Sequence, residues 1–491
     1  MRITLLLLLT LHTLTFSAYC SDGVLRLTLD DAIRMAVEKN LDVRAELYNP
    51  AQYEAEINRY RSIYEPVLTL ESNYTDSSTA TFSSAGNAVD SKAIGVNSSI
   101  TQLLWTGGTA ALSFNNGYTD STNVTGWQTG LGITLNQPLL KNVGREATEI
   151  NINISRSQKF ASLERFNSVL LTTVSQVRTE YFKLQSLRDE LTVKKLSLEL
   201  AQKILSETNA RVKAGVLPAM ETLNADFGAV TREKDLIDAE RAVKDQVDVL
   251  RLLLQIDDDS VELQTVDVIP HDQIIIEENE AIQKALSRPD IRELKRNIEL
   301  NELLTKNYHQ KTRPDIVFTA STQLTGLDSG YQRNLEKVVT FDYPVWSVGL
   351  NLIYPLGSGA ADNDYRRSQL KTRQISLQLK SLEEKSANEV KAAIRAVTSG
   401  YMQIDVSDRG VRFAEERLKA FSRKNEVGLA TTKDVLDVEN DLAIARSNQI
   451  KAVVGYANAL TRYWQVTGEL LEREGIRVVE GDADKLYSEI R

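Results

Sequence analysis

The sequence predicts an α+β protein in which very long helices alternate with groups of amphipathic strands. Long stretches without proline carry a narrow apolar stripe at helical spacing. Other segments are rich in β-branched and aromatic residues, and several of them alternate apolar and polar side chains. In addition, the same order of elements occurs twice along the 491 residues, which predicts two internal structural repeats.

The longest helical pattern covers residues 145–213, which contain no proline, and a second of similar length covers residues 362–426. Apolar residues recur there in steps of four and three: Leu170, Val174, Val177, Tyr181 and Leu184, then Val390, Ile394, Val397, Tyr401 and Ile404. Such a stripe between charged residues is typical of a coiled-coil seam. A helix of about 65 residues is on the order of 100 Å long. We therefore expect these helices to pack sideways against partners.

The hairpin turns between long helices have matching chemistry. Gly215 and Gly428 suit the left-handed position that ends a helix. Pro218 suits the first turn of the helix that follows, and Thr431 and Thr432 suit its N-cap. Each half of the chain is therefore predicted to end in a long antiparallel helical hairpin.

Six predicted strands lie at residues 67–75, 94–104, 109–118, 129–137, 315–324 and 345–354. Their length and period of two match membrane-barrel strands, although a soluble β-sandwich would show the same alternation. Turn-rich loops are predicted at Asp76–Ser91 and Asp120–Thr125. Trp105, Trp127 and Trp346 lie at or near strand ends, where an interfacial aromatic girdle would place them.

The repeat rests on landmarks that recur in the same order. Gly215 and Gly428 are 213 positions apart, and an acidic residue and a leucine follow both glycines at equal offsets. The other paired landmarks are Asp31-Ala32-Ile33 with Glu280-Ala281-Ile282, Pro66 with Pro314, and Gln137-Pro138-Leu139 with Tyr354-Pro355-Leu356. Each half then opens with a helical stretch, at about residues 29–62 and 278–311.

These features predict the following organisation. Residues 1–21 are a signal peptide, 22–256 a first repeat, 257–277 a linker, 278–468 a second repeat and 469–491 a C-terminal tail. The first repeat contains strands at 66–138 and a helical hairpin at 145–255, and the second contains strands at 314–355 and a hairpin at 360–467.

The N-terminus predicts export. Arg2, the apolar run that starts at Leu5 and the small residues that follow it form a secretory signal, because the run is shorter than a membrane span needs. Cys20 is the only cysteine, but Ser17 and Tyr19 depart from a lipid-attachment site. After residue 21 there is no run of about 18 apolar residues, so any membrane-spanning part has to be a closed barrel.

Composition argues against several classes of function. The net charge of −9 argues against a nucleic-acid partner, whose phosphates need a basic surface. The chain has three histidines and none of the HExxH, paired CxxC, Gly-x-Ser-x-Gly or P-loop motifs. We therefore predict no enzyme activity, no cofactor and no metal site.

The duplicated Gly-x5-(Asp/Glu) turns, the proline-led strands and the two strand-ending X-Pro-Leu motifs together resemble the TolC-like outer-membrane efflux protein family. The resemblance covers nearly all of the mature chain. It implies a trimeric outer-membrane β-barrel continuous with a long periplasmic α-helical barrel. The family pattern has two strands per half, whereas the first half of this chain offers four. The extra hairpin would either widen the barrel or decorate its rim.

The resemblance also implies where the duct is gated. The aspartate pair of the periplasmic constriction matches Asp434 and Asp437, which threefold symmetry would turn into a ring of carboxylates. Crowding of like charges should raise some of their pKa values. From the residues alone, the two aspartates would merely complement the dipole at a helix start.

The tips of both hairpins are the expected docking surface for an adaptor. The residues concerned are Gly215, Val216, Leu217, Glu221, Gly428, Leu429, Ala430 and Thr431. Where a relative has a tyrosine and an arginine that latch the tip, this chain has Asn425 and Ala430. The closed tip is therefore expected to be held differently or less tightly.

The resemblance implies an exit duct of a tripartite efflux or type I secretion system, gated by the acidic ring. Its partners would be two further copies of the chain, a periplasmic adaptor protein, an inner-membrane transporter and outer-membrane lipid. The alternative from a different class is a secreted coiled-coil structural protein or adhesin with β-rich modules.

Overall fold

The computed structural model describes residues 24–80, 88–122, 124–258, 261–357, 359–478 and 480–489. The predicted signal peptide and Cys20 lie outside the described residues. The strands are β1 (Val24–Leu27), β2 (Val67–Ala80), β3 (Ala88–Leu103), β4 (Thr109–Ser121), β5 (Thr125–Pro138), β6 (Glu262–Thr265), β7 (Asp315–Asp328) and β8 (Tyr343–Ile353). The helices are α1 (Leu29–Lys39), α2 (Leu41–Arg61), α3 (Arg145–Thr148), α4 (Ile150–Lys213), α5 (Ala219–Leu254), α6 (Glu278–Ala285), α7 (Pro289–Lys311), α8 (Tyr331–Val339), α9 (Gly359–Glu426), α10 (Thr432–Thr467), α11 (Leu470–Arg473) and α12 (Glu480–Glu489).

The two predicted long helices are confirmed as α4 and α9, with 64 and 68 residues. At about 1.5 Å per residue, each is on the order of 100 Å long. Each ends two positions before a glycine with positive φ, which is +73° at Gly215 and +75° at Gly428. Within the described ranges, no helix is long and apolar enough to cross a membrane.

The chain divides into two compact units, and each unit draws segments from both halves of the sequence. The helical unit consists of Met1–Leu47, Arg165–Ile291 and Leu382–Val479. The strand unit consists of Tyr48–Glu164, Arg292–Ser381 and Glu480–Arg491. The predicted repeat boundaries, which divide the chain by sequence, remain a prediction.

The core of the helical unit contains the predicted stripe of α4. Leu170, Val174, Val177, Tyr181 and Leu184 are at most 2% exposed. Fully burying a large apolar side chain contributes about 1.5–3 kcal/mol, so burial of this stripe stabilises the helical unit. Part of the stripe packs with the β1 residue Leu27 and the β6 residue Leu263 rather than only with other helices. The parallel β1–β6 pair was not predicted, because four-residue strands give little periodicity.

The predicted opening helices are confirmed, but each is divided in two. In the first, α1 ends at Lys39, and the side-chain Oδ1 of the next residue, Asn40, accepts hydrogen bonds from the N–H groups of Asp42 and Val43 and so starts α2. In the second, α6 ends before Pro289, and this proline opens α7. Proline suits a first helical position because its missing N–H would have no partner inside the helix there.

The strand unit contains one antiparallel sheet of six strands in the order β2-β3-β4-β5-β7-β8. All six predicted strands are present. The prediction of turn-rich loops at Asp76–Ser91 and Asp120–Thr125 was wrong in extent, because β2 continues to Ala80 and β3 begins at Ala88. In this part of the sheet, the residues that resembled a loop pair across the two strands, as in Asp76 opposite Lys92. In a single chain the sheet is open, with β2 and β8 at its edges.

Candidate functional site: a two-faced sheet and the tips of two helical hairpins

The strand register gives the six-stranded sheet one predominantly apolar face. The members of this apolar face include Leu68, Leu70, Ile94, Val96, Ile100, Leu112, Phe114, Leu131, Ile133, Phe318, Leu324, Trp346, Val348, Leu350 and Leu352. Many of these side chains are exposed, as shown by 70% for Leu70, 78% for Trp346 and 71% for Leu350. Water disfavours such a surface, at about 25 cal/mol per Å² of apolar area. The face therefore suits lipid.

The opposite face of the sheet is polar and lined by small side chains. Its members include Thr69, Glu71, Asn73, Asn97, Ser99, Ser113, Asn115, Gly130, Gly132, Thr134, Ser321, Gln323, Ser347 and Asn351. The larger apolar side chains on this face, such as Val67 and Ile353, lie within three residues of a strand end. A sheet with one apolar and one polar face is the pattern of a membrane-barrel wall around a watery interior.

Helix α8, which was not predicted from the sequence, covers a group of polar side chains that interrupts the apolar face. Asn334 donates a hydrogen bond from Nδ2 to Oγ1 of Thr129 at 2.5 Å, and that hydroxyl donates to Oδ1 of Asn116 at 2.7 Å. Asn334 and Thr129 are fully buried. The Tyr331 ring lies 4.8 Å from that of Trp127. The predicted girdle residue Trp127 is thus partly covered by α8.

The other two predicted girdle residues are largely exposed. Trp105 is 67% exposed in the turn between β3 and β4, and Trp346 is 78% exposed near the start of β8. Both positions agree with the prediction that these tryptophans lie at or near strand ends.

In the helical unit, the two predicted hairpin turns have the same backbone geometry. At the first, the N–H of Val216 donates to the carbonyl of Arg211 at 2.9 Å, and the N–H of Gly215 donates to that of Val212 at 3.0 Å. At the second, Leu429 donates to Lys424 at 2.8 Å and Gly428 donates to Asn425 at 3.1 Å. This pair of bonds is the Schellman motif, and it requires a left-handed residue at the position of each glycine.

Asp434 is part of a capping box at the start of α10. The Thr431 hydroxyl accepts a hydrogen bond from the N–H of Asp434 at 3.1 Å, while Oδ2 of Asp434 accepts from the N–H of Thr431 at 2.8 Å. The Thr431 hydroxyl also donates to Oδ2 at 2.7 Å. These bonds, that from the hydroxyl most of all, hold the pKa of Asp434 below its ordinary value of 3.8.

The rise in pKa expected from crowded carboxylates concerns a ring formed by three copies and stays a prediction, whereas the hydrogen bonds within one chain lower the pKa of Asp434. Asp437 lies exposed one turn further along α10, in a stretch where Val435, Leu436 and Val438 are buried. Asp434 and Asp437 thus share the solvent side of the helix, as their spacing predicted.

The two latch positions singled out from the sequence are joined to each other and to the first hairpin. Asn425 donates from Nδ2 to the carbonyl of Ala430 at 2.9 Å. Arg211, near the end of α4, donates from Nη1 to the Asn425 carbonyl at 3.1 Å and to its Oδ1 at 3.3 Å. An arginine of the first hairpin therefore holds the end of α9, and Asn425 in turn holds the turn that follows.

Glu221 makes a second connection between the tips. The N–H of Thr432, in the first turn of α10, donates to Oε2 of Glu221 at 3.3 Å. The carboxylate predicted as part of an adaptor surface on the first tip thus binds the helix start of the second tip. It satisfies one of the N–H groups that a helix start leaves without an internal partner.

A buried ion pair further from the tip was not predicted from the sequence. Glu439 of α10 is 3% exposed, and its Oε2 lies 3.0 Å from Nη2 of Arg232 on α5. Ser197 of α4 donates to the same carboxylate, and Arg232 also donates to the carbonyl of Leu436 at 3.1 Å. The available signal was a glutamate at a position that the apolar spacing of α10 assigns to the core.

Comparison with known proteins agrees with this fold. Residues 32–254 match the model of the family described as outer membrane efflux protein. The chain is 23% identical over 318 residues to the pyoverdine export outer membrane protein OpmQ of Pseudomonas aeruginosa. The aligned region covers 62% of this chain and 65% of that relative.

Solved outer-membrane channels have a similar fold. The CmeC outer membrane channel of Campylobacter jejuni superposes with a TM-score of 0.68 at 16% identity, covering 94% of this chain and 89% of CmeC. The outer membrane protein VceC of Vibrio cholerae gives 0.65 at 14% identity, covering 90% and 96%. The resemblance stated from the sequence is thereby confirmed: residues 32–254 match the outer membrane efflux protein family, and the chain has the fold of outer-membrane channels. The expected location in the outer membrane is confirmed with it.

Proposed function

We propose that the chain is the outer-membrane exit duct of a tripartite efflux or type I secretion system. In this role it passes substrates from an inner-membrane transporter across the periplasm and the outer membrane. The observation that carries the proposal is the six-stranded sheet, whose exposed apolar face suits lipid and whose polar face suits a water-filled lumen.

The duct is proposed to be a homotrimer, because one chain leaves its edges and seams uncovered. Strands β2 and β8 each have an unpaired edge in the sheet of one chain. In the helical unit, apolar side chains remain exposed on α5, with 64% for Leu223 and 75% for Phe227, and on α9, with 74% for Phe413. Pairing of the strand edges and packing of the helices between copies would remove both liabilities.

The gate is proposed to be formed by Asp434 and Asp437. Three copies would place six carboxylates around the aperture, and such a ring attracts cations and can bind divalent ions. The two residues differ in their structural roles. Asp434 also caps its own helix, so its replacement changes stability together with charge, whereas the exposed Asp437 tests charge more directly.

The tips are proposed to dock a periplasmic adaptor protein. Both tips present exposed apolar side chains beside their Schellman turns, with 71% exposure for Val216, 70% for Val427 and 78% for Leu429. Apolar side chains beside hydrogen-bonded turns are suited to a protein partner, because their burial supplies free energy and an ordered turn loses little conformational entropy on binding.

Single-channel conductance of the purified protein in a planar bilayer tests the duct and the gate. We expect cation-selective openings, and we expect Asp437→Asn to weaken the selectivity and any block by divalent ions. Asp434→Asn should act in the same direction. Asp238→Asn on α5 is the matched control, because it removes one exposed carboxylate that pairs with Lys234.

The outcomes separate the parts of the proposal. Conductance that is unchanged in Asp434→Asn and Asp437→Asn would keep the duct and remove the gate assignment. Folded protein that never inserts into the bilayer would contradict the duct and favour a secreted coiled-coil protein.

A further inference from the structure

We infer that the β3–β4 hairpin is part of the membrane wall, so that three copies close a ring of eighteen strands. The family pattern of two strands per half would give a ring of twelve. This inference rests on the proposed trimeric duct and deepens it. Because barrel diameter grows roughly linearly with strand number, the lumen would be about 1.5 times as wide as a twelve-stranded one.

Strand pairing places the hairpin within the sheet rather than on its rim. The β2–β3 register runs without a break from Val67 opposite Thr101 to Ala80 opposite Ala88. The β4–β5 register is equally continuous, from Thr109 opposite Asn136 to Asp120 opposite Thr125. A hairpin that decorated the rim would leave β2 free to pair with β5. Here β2 and β5 are separated by both strands of the hairpin.

The side chains of the hairpin follow the two-faced pattern of the rest of the sheet. Ile94 and Val96 of β3 and Leu112 of β4 lie on the apolar face and are 49%, 52% and 47% exposed. A hairpin surrounded by water would gain nothing from this exposed apolar surface. A wall surrounded by lipid requires it.

The hairpin turn is fastened at the end of the sheet where β5 leaves it. Thr106 donates from Oγ1 to Oε1 of Gln137 at 2.7 Å, and Gln137 donates from Nε2 to the Thr106 carbonyl at 3.2 Å. The N–H of Gly144 donates to the same carbonyl at 2.9 Å. Gly107, with φ of +86°, has no room for a side chain, because a Cβ there would lie 2.3 Å from the carbonyl oxygen of Asn142. This packing fixes the hairpin in the plane of the wall.

The outer strands permit closure between copies. The six strands alternate in direction, so β8 of one copy and β2 of the next are antiparallel, as every other neighbouring pair is. Even-numbered residues of both strands lie on the apolar face, among them Leu70 of β2 and Leu350 of β8. Joining the two edges therefore continues both faces around the ring.

The lumen width can be measured with polymer-linked maleimides of graded size added outside cells that carry Ser347→Cys. Ser347 lies on the polar face of β8. The comparison is with the same substitution in a chain that lacks residues 81–122, where β2 leads directly to β5. The control Val348→Cys places the thiol on the apolar face. The chain without an added cysteine reports any labelling of Cys20.

We expect the largest reactive polymer to have a radius about 1.5-fold greater for the full chain than for the deletion variant. Val348→Cys should stay unlabelled by large polymers in both. Equal size limits in two trimeric, conducting proteins would overturn the eighteen-stranded ring and leave the duct intact. A full chain that fails to conduct in the bilayer experiment would remove the duct itself.

A second measurement decides the question if the deletion variant does not fold. Ala111 and Thr134 are opposite each other on β4 and β5, on the polar face. Cysteines at both positions should form a disulfide in outer membranes if the hairpin lies in the wall. Leu112→Cys with Thr134→Cys is the matched control, since Leu112 lies on the other face. Absence of the 111–134 disulfide in conducting trimers would overturn the inference.

Discussion

The buried ion pair between Glu439 and Arg232 gives the sharpest test of how the hairpins are held together. Glu439→Ala removes the carboxylate that receives Arg232 of α5 and Ser197 of α4. The substitution therefore severs one connection among three helices of the helical unit. We expect local opening of this region to become much easier while the remote parts of the chain stay unchanged.

The size of the effect follows from burial. Glu439 and Arg232 have side chains that are 3% and 12% exposed. Without Glu439, the guanidinium keeps its bond to the Leu436 carbonyl but has no counter-charge in a site with little water. Removing one partner of a buried pair costs about 3–5 kcal/mol. Taking about 3 kcal/mol, the opening equilibrium shifts on the order of 100-fold.

Amide hydrogen exchange followed by mass spectrometry is the suitable assay, because it reads opening segment by segment. Peptides covering residues 225–240 and 432–445 should lose protection on the order of 100-fold in Glu439→Ala. Asp441→Ala is the matched control in the same helix. Its partner is Arg417 at 2.7 Å, with side chains 47% and 56% exposed. An exposed pair contributes about 0–1 kcal/mol, so protection should change little.

Two results would refute this reasoning. The first is protection in Glu439→Ala within threefold of the original chain, on the scale set above. The second is an equal loss in Asp441→Ala, which would show that burial does not distinguish the two pairs. Replacing both members of the buried pair, as in Arg232→Met with Glu439→Leu, should restore much of the protection, because no charge is then left buried.

Three further predictions concern the same unit. Gly428→Ala should destabilise the second tip by about 1 kcal/mol, because a φ of +75° strains a residue with a Cβ even though the surrounding space is open. Gly428→Asn should lower the free energy of opening of the tip by less, because asparagine tolerates this conformation better, and hydrogen exchange of the tip measures both. The lowered pKa of Asp434 stabilises the fold at pH values above its ordinary pKa of 3.8, and this contribution is lost as the pH falls through the folded-state pKa. The start of α10 should therefore fray at acidic pH. Thr431→Val should weaken this pH dependence when amide exchange rates are measured over a pH series. Tyr181→Phe removes a buried hydroxyl that donates to Asp267 at 2.8 Å. The free energy of local opening of residues 262–268, measured by hydrogen exchange, should therefore fall by about 1–3 kcal/mol.

The long helices and the strands could be predicted well from the sequence, because the apolar residues of each element recur at a regular spacing. The stripe through Leu170, Val174 and Tyr181 identifies α4, and alternation around Leu131 and Ile133 identifies β5. The extent of β2 and β3 was harder to predict, because Ser, Thr and Asp are as common in turns as on the polar face of a sheet. Helix α8 is only nine residues long, and a short amphipathic segment after a strand gives little signal.

The residues of the candidate gate could be predicted from their position in the sequence, but the contacts around them could not. Gly215, Gly428 and Thr431 have turn and cap roles that local sequence dictates, so their geometry was predictable. The bonds of Arg211 to Asn425 and of Thr432 to Glu221 join residues more than 200 positions apart. Such pairs depend on how two hairpins pack, and no local pattern specifies that register.

The in-plane β3–β4 hairpin also has an evolutionary consequence. It leaves from and returns to the same end of the sheet, between β2 and β5, so its gain or loss leaves the direction and facing of every other strand unchanged. A ring of antiparallel strands can gain strands only in pairs. Duplication of one hairpin adds such a pair in a single genetic event. In the proposed duct, selection could thus alter the width of the outer opening in discrete steps without changing the helices that follow.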